Sequence, residues 1–308
     1  MSSTAAFDSS LTDENIVCVA CGTQFPTRDR SSVPTCFICD DPRQYVPPTG
    51  QAFTTMGSVR AAHQNRFTPI PNTDGRLLNI CSEPKFAIGQ RAILVQTAAG
   101  NVLWDCLTLL DAETVQTVKN AGGLAAIVIS HPHYYSSHVQ WAEAFECPVY
   151  LAAEDKKWTC QTSPQQQFLT ETETDIVPGV KAIKLGGHFP GRLVLLFDGR
   201  LLVADTLLTT PAGLGSWKVD ALDNARTRPE GMNTFAFLWS IPNSIPLSGE
   251  EVFRMWGILK GYEFRSTHGA FLGQDIFDEN IKARVLESAK IHTRFIGWAK
   301  QESWTNEL

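Results

Sequence analysis

The sequence predicts a layered α/β fold. Three observations carry the prediction. Strand and helix patterns alternate from Ala92 to Leu151, a second strand-rich stretch runs from Val180 to Asp205 around Asp198-Gly199, and 308 residues with 43% hydrophobic content can bury a sizeable core. Strands that alternate with helices fold as sheets covered by helical layers. The length suits one large domain, or one domain with a small appendage.

Composition narrows the function. A net charge of −6 with no Lys/Arg cluster argues against a nucleic-acid partner. No window is apolar enough, for long enough, to span a membrane. Residues 1–15 are polar and acidic and lack the basic-then-apolar layout of a signal peptide. They read as a disordered lead-in, and the chain as cytoplasmic. Eight cysteines in that setting read as metal ligands or buried thiols before disulfides. The partner implied is a small-molecule substrate, and no clear oligomer signal is present.

Cys18-Val19-Ala20-Cys21 and Cys36-Phe37-Ile38-Cys39 are two CxxC knuckles with fourteen residues between them. Four thiolates at that spacing close a tetrahedral zinc site, and Gly22 lets the first knuckle turn tightly. The competing readings are disulfides or a redox pair. A segment this short has no core of its own, so the metal would supply its folding energy. Residues 16–50 are therefore read as a zinc-ribbon-like segment, with one structural zinc on Cys18, Cys21, Cys36 and Cys39. Asp40-Asp41 and the scarcity of lysine favour a structural role. Pro47-Pro48-Thr49-Gly50 reads as the linker into a main domain over 51–308.

Within that domain, residues 51–82 carry little pattern beyond a turn at Asn72-Thr73-Asp74-Gly75 and a short strand near Leu77 to Cys81. Ala92 to Gln96 and Val102 to Asp105 flank Ala99-Gly100-Asn101 as a hairpin. Asp111 caps a helix running to about Asn120, which Ala121-Gly122-Gly123 ends. Leu124 to Ile129 is an apolar strand, a helix runs from about Ser137 to Phe145, and Pro148 to Leu151 is a strand. The Gln-, Thr- and Glu-rich residues 161–175 predict an exposed loop or short hairpin. Val180 to Leu185 is a strand leading to Gly186-Gly187-His188. Leu193 to Phe197 and Leu201 to Asp205 form a hairpin, because Asp198-Gly199 suits a type I′ turn. Residues 210–233 form a long irregular insertion, the kind of stretch that often serves as a lid. Phe235 to Ile241 is a strand, Ser248 opens a helix to about Leu259, His268 follows a short strand, and 276–302 is helical in one or two pieces.

Chemistry collects at element ends. His131 and His133 follow one strand and Asp105 another; His188 sits in a Gly-rich turn, Asp205 ends the hairpin, and His268 precedes a glycine. In this order and spacing the chain resembles the metallo-β-lactamase fold superfamily, over about residues 85–270. The resemblance implies a four-layer αβ/βα sandwich with a metal site built from loops at one edge. It also implies that His131, His133 and His188 form the first zinc site, that Asp205 is the bridging aspartate, and that His268 is a ligand of the second site. Asp105 would support the metal loop.

The family's motif, His-x-His-x-Asp-His, is broken here. Tyr135 stands at the aspartate position and Ser136 at the third histidine. A phenol with a pKa of about 10 is a poor zinc ligand, a serine is no better, and His138, which could compensate, lies two residues beyond the motif position, on the helix. The second site keeps only Asp205 and His268. One Zn²⁺ with three neutral histidines, Asp205 and a hydroxide is neutral overall, so one catalytic zinc is expected beside the structural one; iron or manganese suits the same donors. The zinc-bound hydroxide would attack an ester, lactone, thioester, amide or lactam carbonyl. Asp205 or His268 would orient the water and move protons, and Tyr134 or, favoured by its metal-facing motif position, Tyr135 would donate to the developing oxyanion; packing is the competing reading for both tyrosines. The competing readings are a degenerate, non-catalytic metal-binding protein, suggested by the lost ligands, and a nuclease-type relative, suggested by the ribbon. His63 and His292 read as structural. Trp217, Phe235 and Trp239 read equally as pocket-lining or packing groups.

Overall fold

The computed structural model describes residues 7–305 and 307. The chain divides into two compact units, Met1–Pro178 and Gly179–Leu308. The lead-in expected over 1–15 lies partly outside the described residues. From Ser9 to Thr12 it forms a 3-10 turn, because the Arg60 guanidinium gathers the Ser9 carbonyl, the Thr12 hydroxyl and the Asp13 carboxylate.

In the first unit β1 (Ile16–Cys18) pairs antiparallel with β2 (Phe53–Thr55), so the cysteine segment leaves and re-enters the fold at one place. Thr55 caps α1 (Met56–Ala62). The stretch with little sequence pattern then supplies β3 (Gln64–Pro69) and β4 (Leu77–Glu83). No residue of β3 is fully buried, so it writes no apolar alternation. β5 (Ala92–Val95) and β6 (Val102–Trp104) form the expected hairpin. Asp111 accepts the Thr114 N–H and starts α2 (Ala112–Asn120). β7 (Ala126–Val128), α3 (His138–Phe145) and β8 (Val149–Ala152) follow as the pattern predicts.

The stretch 161–175 differs from expectation. Gln166–Leu169 is a strand, β9, added in parallel to β8, and the next strand, β10 (Glu173–Val177), belongs to a different sheet. An edge strand needs no apolar outer face, and the polar composition of β9 reflects that. The sheet order is β3-β4-β5-β6-β7-β8-β9, antiparallel from β3 to β6 and parallel from β6 to β9. Every residue of β5, β6 and β7 is buried, which explains why these strands read as continuous apolar runs.

In the second unit β11 (Val180–Lys184), β12 (Leu193–Phe197) and β13 (Arg200–Leu202) form an antiparallel meander. Asp198 at φ 47° and Gly199 at φ 69° make the type I′ turn. β14 (Leu208–Thr209) pairs with β15 (Phe235–Ala236) across the insertion, which begins with the one-turn helix α4 (Pro211–Leu214). The single strand expected from Phe235 to Ile241 is two short ones. β15 pairs with β14, whereas β16 (Leu238–Ser240) pairs with β17 (Ile245–Pro246). Ser248 caps α5 (Gly249–Leu259). β18 (Ser266–His268) lies parallel to β13, with β19 (Asp275–Phe277) antiparallel beside it. α6 (Ile281–Phe295) is shorter than the predicted helix because its first residues are spent on β19. Val252 and Met255 of α5, with Val285 and Ala289 of α6, bury against Val194 and Leu201 of the sheet.

Candidate metal sites

Among the described residues Cys18, Cys21, Cys36 and Cys39 form a group of buried donors that could hold a metal ion, and His131 and His133 in the first unit, like His188 and Asp205 in the second, are buried as well.

The cysteine group lies wholly in the first unit, and its sulfurs fall within 4.8 Å of one another. The Cys18–Cys39 and Cys21–Cys36 sulfurs are both 3.6 Å apart. That is too long for a disulfide, and it matches the edge of a tetrahedron with Zn–S bonds of about 2.3 Å. All eight cysteines are free. Thiol contact with Cys21 pulls the Cys18 thiol down, and burial pushes Cys21 up. Four thiols packed this closely cannot all ionise without a cation, so the residues fit zinc. The first knuckle turns at Gly22, where φ is +80° and a Cβ would meet Thr108 Oγ1 at 2.1 Å; only glycine fits. Phe25, Val33 and Ile38 bury around the tetrad, and Phe37 stacks on Trp158 at 6.4 Å and 5°.

The histidine loop leaves β7 at Ile129. Asp105, at φ 61°, accepts the Ser130 N–H over 2.8 Å and so fixes the residue before His131. This is the supporting part that the resemblance implied for Asp105. His131 and His133 are 1% and 3% exposed, with ring centroids 5.0 Å apart. His131 Nδ1 lies 2.9 Å from Ser130 Oγ, and an Nδ1–H donated there leaves Nε2 with its lone pair. Tyr134 packs edge-on against His131 at 4.5 Å. Tyr135 is buried, its hydroxyl has no hydrogen-bond partner among the described residues, and burial with the Asp155 charge holds its proton on well above the usual phenol range. Ser136, at φ 44°, accepts the Gln24 N–H at its carbonyl over 3.1 Å and the Gln90 Nε2–H at its hydroxyl oxygen over 3.3 Å.

His138 is committed elsewhere. Its Nδ1–H donates to the Tyr135 carbonyl at 2.9 Å, and Nε2 accepts from Gln166 Nε2 at 2.8 Å. Burial lowers its pKa to about 4, so it is a neutral packing histidine that starts α3.

In the second unit His188 is fully buried and donates Nδ1–H to the Trp239 carbonyl at 2.8 Å. That carbonyl fixes the tautomer and puts the lone pair on Nε2. Asp205 is 5% exposed and follows Ala204 at φ 41°. His268, which the resemblance implies as a ligand of the second site, is fully buried. Its Nδ1–H donates to Asp275 at 2.7 Å, and its Nε2 lies 3.0 Å from Ser266 Oγ. Asp275, seven residues on, carries no sequence signal; only the register of β18 against β19 brings it there. A cavity of about 580 Å³ in this unit is lined by Trp217, Lys218, Arg226 and Asp275, among others. Of the three aromatics named above only Trp217 lines it, because Phe235 is core and Trp239 packs against that core. His63 donates to the Pro84 carbonyl and His292 to that of Leu247, as structural histidines do. No helix among the described residues is long and apolar enough to cross a membrane.

No known family profile matches the chain. The uncharacterized protein YmaE of Bacillus subtilis (strain 168) is 36% identical over 274 residues, 89% of this chain and 93% of that protein. The DIM-1 metallo-β-lactamase structure superposes with a TM-score of 0.50 at 13% identity, over 74% of this chain and 97% of that one. The VMB-1 structure does so at 0.51 and 11%, over 76% and 99%. The two structural likenesses show the fold, which is the metallo-β-lactamase type that the ordered donors predicted.

Proposed function

The chain belongs to the family of the Bacillus subtilis protein YmaE, and on its metallo-β-lactamase fold we propose a metal-dependent hydrolase of small carbonyl compounds. One observation carries the reading. His131 and His133 in the first unit and His188 and Asp205 in the second are buried at element ends, three imidazoles and one carboxylate that we read as one donor set. Such a set suits a divalent ion, zinc first, with iron or manganese also matching. When bound there, the ion would make water acidic enough to supply a nucleophile near neutral pH, and would polarise the carbonyl under attack.

The chain's own residues do the rest. His188 and His131 present Nε2 because Trp239 and Ser130 occupy Nδ1. Asp205 has a second carboxylate oxygen with which to orient the attacking water. His268, its tautomer fixed by Asp275, takes a proton at Nε2, which Ser266 otherwise occupies. The Tyr135 hydroxyl, buried and still protonated, donates to the oxygen that gains charge. One ion is enough. Ser136 is held by Gln24 and Gln90, Tyr135 is a neutral phenol, and His268 faces Ser266 and Asp275, so the second position has lost its ligands.

The test is metal content per chain, paired with turnover of a panel of esters, lactones, thioesters and lactams; lactams belong in it because the DIM-1 neighbour is a metallo-β-lactamase. Wild type should carry two metals, and Cys36→Ser/Cys39→Ser one. His131→Ala should lose the second metal and all turnover while keeping the tetrad loaded. Normal turnover by His131→Ala overturns the site. A loaded wild type inert on the whole panel favours a metal-binding protein without catalysis.

A further inference from the structure

We infer that the metal of the cysteine tetrad positions the histidine loop, acting through Gln24. The inference rests on the reading of His131 and His133 as metal ligands, and it gives the ribbon-like segment a function beyond its own folding. Gln24 lies three residues past the ligand Cys21, and Ser136 three past His133. The two short paths meet where Gln24 N–H donates to the Ser136 carbonyl at 3.1 Å.

Ser136 needs that contact. Its φ of 44° is a conformation that a residue with a side chain keeps only when its surroundings enforce it. Gln24 holds its carbonyl, and Gln90 its hydroxyl. Releasing either lets the peptide relax towards negative φ, and His133 before it and α3 after it would shift.

Gln24 is itself locked, 1% exposed. Its carbonyl accepts from Gln161 Nε2 at 2.6 Å, and its side chain reaches Gln140 of α3 at 3.2 Å. Knuckle and loop also share an anchor. Thr108 Oγ1 donates to the Gly22 carbonyl at 2.8 Å, while the Thr108 carbonyl takes the Ser137 hydroxyl at 2.8 Å and the Leu107 carbonyl takes Trp141 Nε1 at 2.9 Å. A tetrad that only folded its own segment would need its four ligands and the apolar residues around them. The polar contacts to Ser136, Gln140 and Thr108 are additional, and all of them end on the histidine loop, on α3 or on the stretch that anchors the loop.

The experiment uses the full chain with zinc in the tetrad and Co²⁺ added to the histidine site. It reads Co²⁺ affinity, the Co²⁺ d–d spectrum and amide hydrogen exchange over residues 131–140. Gln24→Pro removes the N–H and leaves all four thiols in place. It should keep its tetrad zinc, speed exchange over 134–138, and weaken Co²⁺ binding about tenfold, the size of one buried hydrogen bond. Cys36→Ser/Cys39→Ser should give the same changes in larger measure and alter the d–d bands. If that variant fails to fold, Gln24→Pro and Thr108→Val, both with the tetrad loaded, carry the test. Exchange and Co²⁺ affinity within twofold of wild type in these variants would overturn the coupling. A wild type that binds no Co²⁺ beyond the tetrad would instead overturn the ligand reading, and the exchange data would still report on the coupling by themselves.

Discussion

Asp275 and His268 face each other across β18 and β19, and the imidazole donates its Nδ1–H to the carboxylate over 2.7 Å. The carboxylate decides which nitrogen carries the proton, so it decides which one can act. Asp275→Asn keeps the shape and removes the charge. Turnover number should fall by about 100-fold or more, because a positioned general acid or base contributes about 10²- to 10⁴-fold, with metal content per chain unchanged. Loss of a metal in that variant would instead make His268 a ligand.

Tyr135→Phe separates catalysis from stability. The hydroxyl is buried and has no hydrogen-bond partner among the described residues, so its removal should raise unfolding stability by about 1 kcal/mol. The same change should lower turnover number about 100-fold with little effect on KM, as loss of an oxyanion donor does. A variant as active as wild type would return Tyr135 to packing.

His138 makes the acid limb of stability testable. Burial lowers its pKa from 6.5 to about 4. The unfolded chain therefore binds the proton first, and stability present above about pH 6.5 drains away as pH falls towards 4. The linkage amounts to about 3 kcal/mol at most. His138→Gln keeps a donor for the Tyr135 carbonyl and an acceptor for Gln166, and it does not titrate. Melting temperature between pH 4 and 7 should be flatter in the variant; an identical slope would place the acid sensitivity elsewhere.

Gly22→Ala should destabilise the first unit by about 2 kcal/mol or more, from a side chain at positive φ and a collision with Thr108. Chemical denaturation of the zinc-loaded chain measures it. Gly179→Ala, also at positive φ but in open space, should cost less, because only the backbone term remains.

Much of this was legible in the sequence where local chemistry and tertiary need agree. Asp111 caps α2, Ser248 caps α5, and Asp198-Gly199 turns β12 into β13 because each residue serves its neighbours directly. The thiol tetrad was legible from its CxxC spacing, and the fold type from the order in which His131, His133, His188 and Asp205 end their elements. What escaped depends on register or on edges. β3 and β9 bury too little to write a pattern, and α6 gave up its first turn to β19. Asp275 reached His268 only through strand pairing, and Gln24, an ordinary glutamine in the sequence, became a buried hub only through folding.

The spread of the two donor sets along the chain has a consequence for synthesis. The four thiols are complete by Cys39, in a segment that β1 and β2 close upon itself. The last histidine-site donor, Asp205, is made on the order of ten seconds later at ordinary elongation rates. The soft thiol donors are complete on the ribosome before the last of the harder donors exists. A chain that loads both sets would sort its metals by time of appearance as well as by affinity.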